Sequence, residues 1–160
     1  MKKLIYTLLI IIALTNNSFS AGDSNTTAKA SDYTKAKNLI NAAKKYEKKG
    51  KIDKAQERYA KAQKLLLKSN EIKPLQADTL NYLGFTTRKL GDYEKGEKFY
   101  LLGLQVEPNH NGINEYLGEL YVATNRMDMA KERLEVLKTC NCEEYSELKE
   151  IIEGTKKSKY

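Results

Sequence analysis

Cys140 and Cys142 are the only cysteines of this 160-residue chain, and one residue separates them. Joined, they would close a small strained ring, and strained disulfides are the more oxidising, labile kind. The same bond, or a pair of buried thiols, would equally serve to shape a turn. Two sulfurs make a poor zinc site, which expects four ligands, and the one histidine, His110, is 30 residues away. His110 stands in the loop sequence "EPNHN", with no serine or cysteine nucleophile placed to use it as a base. It reads as a solvated loop residue. Acidic residues are plentiful but fall at helical spacings suited to solvation and i,i+4 pairing. Gly91 and Gly96 do not form a phosphate-cradling loop. The expectation is therefore no catalytic residue, no metal, no cofactor and no enzyme.

The compartment bears on the cysteines. Met1-Lys2-Lys3 is a short basic start, Leu4 to Leu14 is almost entirely apolar, and "TNNSFS" follows before Ala21. Ser18 and Ser20 are small residues at the positions a signal peptidase reads. The apolar run is about 11 residues, well short of the ~20 that cross a bilayer as a helix. Residues 1–20 are thus expected to be a signal peptide, with the chain exported to a periplasm, or secreted, after cleavage near Ser20-Ala21. A retained N-terminal anchor is the rival reading. An oxidising compartment favours a Cys140–Cys142 disulfide and speaks against ATP-driven chemistry and nucleic-acid partners.

The elements that would position these residues are helical. Only two prolines occur, Pro74 and Pro108, and both fall where helical patterns break. Apolar residues recur at three- and four-residue spacing, as in Leu39, Ala42, Ala43 and Tyr46, or Leu80, Leu83, Thr87 and Leu90. Residues 21–34 read as a flexible lead-in, small and polar.

"YLG" occurs at Tyr82 and again at Tyr116, 34 residues on. Around it, Leu80, Leu83-Gly84, Gly91-Asp92-Tyr93, Gly96, Phe99-Tyr100 and Pro108 mark out one unit, and Leu117-Gly118, Tyr121, Asn125, Met127, Ala130, Leu134 and Leu137 fill the corresponding places of the next. An earlier copy runs through Leu39, Ala42-Ala43, Tyr46, Gly50, Ala55, Tyr59 and Ala62. It is offset by 41 residues, so seven residues, "NEIKPLQ" (70–76), are expected to bulge between the first and second copies. Gly84 and Gly118 fall within helices, where glycine costs ~1 kcal/mol relative to alanine. That is tolerable where a neighbouring helix must approach closely, and Ala55, Gly96 and Ala130 offer small residues in return. Asp53, Asp92 and Asp128 fall near the start of each second helix, where a carboxylate suits the dipole.

These units resemble tetratricopeptide repeats, with period 34 and a helix–turn–helix unit, across roughly residues 36–140. The resemblance implies an all-α solenoid of three repeats spanning 35–138 (36–69, 77–110 and approximately 111–140). Residues 139–160 follow as a Cys-x-Cys turn, a helix and a basic tail. Tyr145, Leu148, Ile151 and Ile152 form one apolar stripe with Glu144, Glu147 and Glu150 facing away, as expected of a capping helix.

The resemblance further implies that the first helices line a concave face that binds a segment of another protein. By that transfer the groove comprises Ile40, Lys44, Asn81, Tyr82, Phe85, Arg88, Glu115, Tyr116 and Glu119, with Phe85 and Arg88 as anchors. Ile40 stands where a lysine would be expected in family members that clamp a C-terminal carboxylate, so that mode is not expected. The expected function is an exported, non-enzymatic adaptor or assembly factor with a polypeptide partner.

Charge suggests the alternative. The net charge is +7, and Lys29 to Lys73 carries 14 Lys/Arg against 5 Asp/Glu, while Pro74 onward carries 12 against 15. Lys44, Lys45, Lys48 and Lys49 would then form a basic surface for anionic lipid or an envelope polymer.

Overall fold

No proline or glycine interrupts the chain from Ser24 to Lys48, and one continuous helix occupies that stretch, α1 (Ser24–Lys48), in a computed structural model describing residues 24–158. The signal-peptide expectation lies outside the described residues. Most of the expected lead-in does not: residues 24–34 are the first turns of α1. Its two alanines and one lysine are good helix formers, and the turn after them is tied down. Asp32 lies 3.2 Å from Lys68, and the Tyr33 ring meets Tyr82 at a 6.0 Å centroid distance.

Six more helices follow: α2 (Ile52–Ile72), α3 (Ala77–Lys89), α4 (Tyr93–Val106), α5 (Asn111–Ala123), α6 (Met127–Leu137) and α7 (Glu143–Ile152). The fold is all-α among the described residues. α1/α2, α3/α4 and α5/α6 are antiparallel hairpins, stacked in chain order and closed by α7 against α5 and α6. The period is visible in the helix starts. Ala77 to Asn111 and Tyr93 to Met127 are each 34 residues apart, whereas Ile52 to Tyr93 is 41. The seven extra residues do not bulge as expected. Asn70, Glu71 and Ile72 contain no breaker, so they prolong α2 to 21 residues beside the 25 of α1. The break waits for Pro74.

Each hairpin turns through one residue of positive φ: Gly50 (67°), Gly91 (97°) and Asn125 (62°). Glycine and asparagine are the residues that tolerate this conformation. After the second turn the Asp92 carboxylate accepts from the Lys95 N–H at 2.9 Å, capping α4.

Burial explains why Tyr-Leu-Gly returns. Leu83 and Leu117 are fully buried, each worth ~1.5–3 kcal/mol by apolar burial. A Cβ on Gly84 would stand 2.5 Å from Cε1 of Tyr100, and one on Gly118 would stand 2.5 Å from Cδ2 of Leu148. Each glycine seats a large side chain from the helix packed against it. The second of these partners comes from α7, so the cap is fastened at the repeat's own glycine.

No helix among the described residues is long and apolar enough to cross a membrane.

Candidate functional site

The first helices of the three hairpins, α1, α3 and α5, together with α7, surround a groove. Its centre is aromatic. The Phe85 and Tyr116 rings lie 5.1 Å apart, and Tyr59 meets Phe85 edge-on at 5.7 Å. Lys44 projects from α1 over both rings, its Nζ 4.6 Å from the Phe85 centroid and 5.5 Å from that of Tyr116. The same ammonium donates to the Tyr116 hydroxyl at 3.2 Å. Burial, and after it the neighbouring Glu115 carboxylate, raises the Tyr116 pKa well above the ordinary tyrosine range, so this hydroxyl stays neutral.

Beside the rings is a cavity of about 500 Å³ bordered by Lys44, Glu47, Lys48, Ile52, Phe85, Lys89 and Ser158. Glu47 organises one wall, taking an ion pair from Lys89 at 2.6 Å and a hydrogen bond from the Tyr59 hydroxyl at 2.9 Å. Ile52, at the start of α2, is 51 % exposed on the rim.

The opposite wall is acidic. Glu115, Glu119 and Glu147 bring carboxylate oxygens within 4.8 Å of one another, and Glu143 and Glu144 border the same surface with Tyr116. Cations of the chain itself meet these acids. Arg88 Nη2 is 3.3 Å from Glu119, and Lys156 Nζ is 3.1 Å from Glu147. The arrangement therefore suits basic side chains, with positive charge on the α1 wall and negative on the α5–α7 wall.

The residues expected to line the groove are brought together but differ in role. Lys44, Tyr82 and Tyr116 are half-buried. Ile40 is fully buried in the α1–α2–α3 core, and Asn81 and Glu115 are buried, the latter in the acidic wall. Phe85 borders the cavity at 1 % exposure, while Arg88 is turned between repeats with its side chain fully covered. Phe85 and Arg88, expected as ligand anchors, are built into the stack: the ring packs in the core, and the guanidinium crosses from α3 to α5. Glu144 and Glu147, expected to face away from the cap's apolar side, border the groove instead. α7 lies across α5, so its groove-side flank continues the concave wall.

The four lysines of the expected basic surface diverge. Lys44 and Lys48 border the groove, and Lys45 and Lys49 border a shallow depression with Ala42 and Tyr46. Cys140 and Cys142 are joined by a disulfide, with Cα atoms 5.2 Å apart, in the turn before α7. His110 is not a solvated loop residue. Its ring accepts the Ile113 N–H at Nδ1 (3.1 Å), capping α5, and so donates from Nε2 toward Asp78 at 3.3 Å. A histidine followed by a helical run after "PN" is the signal for that cap.

No protein-family model matches the chain, and no curated protein does. Among solved structures the chain is similar to the first tetratricopeptide-repeat domain of Spaghetti (RPAP3), bound to an HSP90 peptide, at 22% identity over 77% of this chain and 94% of that one, with a TM-score of 0.49. It is likewise similar to the first such domain of the human RPAP3 protein, at 22% identity over 79% and 98%, again with a TM-score of 0.49. Nothing about this chain's ligand follows from likeness of that degree.

Proposed function

We propose that this protein is a non-enzymatic interaction module that holds a polypeptide segment in the groove between α1, α3, α5 and α7. One observation carries the reading: an open cavity floored by Phe85, beside Tyr116, with cations on one wall and carboxylates on the other. Aromatic rings flanked by charges of both signs suit a chain segment of mixed character. The hairpin stack is rigid enough to present that surface ready-made. With the basic, apolar leader of residues 1–20 taken as a signal peptide, the module works outside the cytoplasm as an adaptor or assembly factor. Docking on an anionic envelope surface through Lys44, Lys45, Lys48 and Lys49 has less support, because these side chains point to two different faces.

The test is a crosslinking capture from the native envelope fraction with wild type, a Lys48→Glu/Ile52→Asp variant on the groove rim, and a Lys45→Glu/Lys49→Glu variant on the other face. These four residues are exposed, so the fold should tolerate the changes. A polypeptide captured by wild type and the second variant, and lost by the first, is the expected result. Capture that survives the rim changes and fails with Lys45→Glu/Lys49→Glu would overturn the reading in favour of surface docking.

A further inference from the structure

We infer that the groove is a receptor for the chain's own basic tail, Lys156–Tyr160, which occupies it until a partner segment displaces it. The inference rests on the groove reading and names the chemistry of its ligand.

Several observations converge on the tail. α7 ends in a reversal at Gly154 (φ 73°), after which the Thr155 and Lys156 N–H groups both donate to the Glu150 carbonyl, at 3.0 and 3.1 Å. The chain is thereby folded back on its helix. Lys156 then reaches Glu147 at 3.1 Å and Glu150 at 3.7 Å. Ser158 lies inside the groove, its Oγ 3.4 Å from Glu119 on α5, and it borders the same cavity as Lys44 and Phe85. The tail thus passes from the acidic wall to the aromatic floor.

Charge and reach name the rest of the occupant. Lys156 meets the wall that carries Glu115, Glu119, Glu143, Glu144 and Glu147, and the sequence adds Lys157 and Lys159 to the same tail. Beyond Ser158, Lys159 and Tyr160 extend at most ~7 Å, so both fall within reach of a cavity that Ser158 already borders. That cavity offers a tyrosine ring the exposed Ile52 side chain on its rim. A partner competing for the site would be an extended segment with two or three basic residues and an aromatic. Because the tail is tethered, it acts at a high effective concentration and would weaken every such partner.

The experiment uses a fluorescent, C-terminally amidated peptide, Thr-Lys-Lys-Ser-Lys-Tyr, read by anisotropy. The full chain is compared with a variant ending at Gly154 and with a full-length Lys156→Glu/Lys157→Glu/Lys159→Glu variant, each checked for helicity by circular dichroism. Both variants should bind the peptide at least tenfold more tightly than the full chain. Adding Glu144→Lys/Glu147→Lys to either should abolish that gain. Equal binding by all three proteins, or none by the variants, overturns the proposal, and the charge variant decides it should the shortened chain fail to fold. If the shortened chain ignores the peptide yet captures a polypeptide that depends on Lys48 and Ile52, the tail inference alone has failed. If it does neither, the groove reading has failed with it.

Discussion

Arg88 on α3 reaches across to Glu119 on α5, Nη2 to Oε2 at 3.3 Å, with both charged side chains wholly covered, and its Nη1 donates to the Tyr116 carbonyl at 2.7 Å. One guanidinium therefore joins the second repeat to the third at the floor of the groove. A pair buried to this extent gives up two hydration shells, and its attraction roughly offsets that loss. Leaving one partner alone is far worse than removing both.

Arg88→Ala and Glu119→Ala should accordingly each lower unfolding stability by ~3–5 kcal/mol, while Arg88→Met/Glu119→Leu costs less than either single change. Urea unfolding of the three variants measures this. Additive losses in the double variant would show that the two charges do not act as a unit.

A second prediction concerns Gly84. On propensity alone Gly84→Ala should stabilise α3 by ~1 kcal/mol. The added methyl would meet the Tyr100 ring at 2.5 Å, and that ring is fully buried on all sides. Overpacking of this kind costs ~1–3 kcal/mol, so the substitution should be destabilising on balance. Tyr100→Leu in the same chain should recover part of the loss by vacating the ring's place. A more stable Gly84→Ala single variant would contradict the packing described.

The same glycine marks where sequence reading succeeds. A repeated glycine within a helix, with small residues 34 positions apart on the opposing helix, is a local pattern with a local cause, so the period, the hairpins and the apolar stripe of α7 were all legible. Leu148 and Ile151 are buried as that stripe requires. The groove was legible only as a set of neighbours. A long cation such as Arg88 can point to solvent or cross to the next repeat, and helical spacing does not distinguish these. What decides is the distance to α5, a property of the stack. Glu144 and Glu147 follow the same logic, since their direction depends on where α7 settles on α5. The prolonged α2 was missed for a different reason: an offset of seven residues reveals an insertion without saying whether it loops or winds.

Tyrosine ionisation gives a third prediction. Burial is the leading cause that raises the pKa of Tyr33, Tyr59, Tyr82, Tyr100, Tyr116 and Tyr121, and Tyr121 is pushed up to about 12. Unfolded tyrosine loses its proton near pH ~10. Above that pH the folded chain holds protons that the unfolded chain releases, so stability falls as pH rises. Below it the contribution is fully present. Tyrosinate absorbance at alkaline pH should thus rise in two stages, the second coinciding with loss of helical circular dichroism. Complete ionisation while the helices persist would contradict the burial of these rings.

The Cys140–Cys142 bond yields the last prediction, and here magnitude separates a structural role from a decisive one. The bond encloses only Asn141 between its cysteines, and a loop so short restricts the unfolded chain little. The chain-entropy relation gives about 1.6 kcal/mol for three residues. The turn has other support: the Cys140 N–H donates to the Leu137 carbonyl at 3.1 Å, and Asn141 takes the left-handed conformation at φ 49°. α7 itself is fastened further on, by Leu148 over Gly118 and by the buried Ile151. Reduction, or Cys140→Ser/Cys142→Ser, should therefore lower the melting temperature by roughly 3–8 °C without loss of helix content below the transition. Because the tail and the acidic wall both depend on α7, peptide binding by the shortened chain should also survive reduction. A reduced protein that loses helicity at low temperature, or no longer binds the peptide, would make the disulfide the element that holds α7 in place.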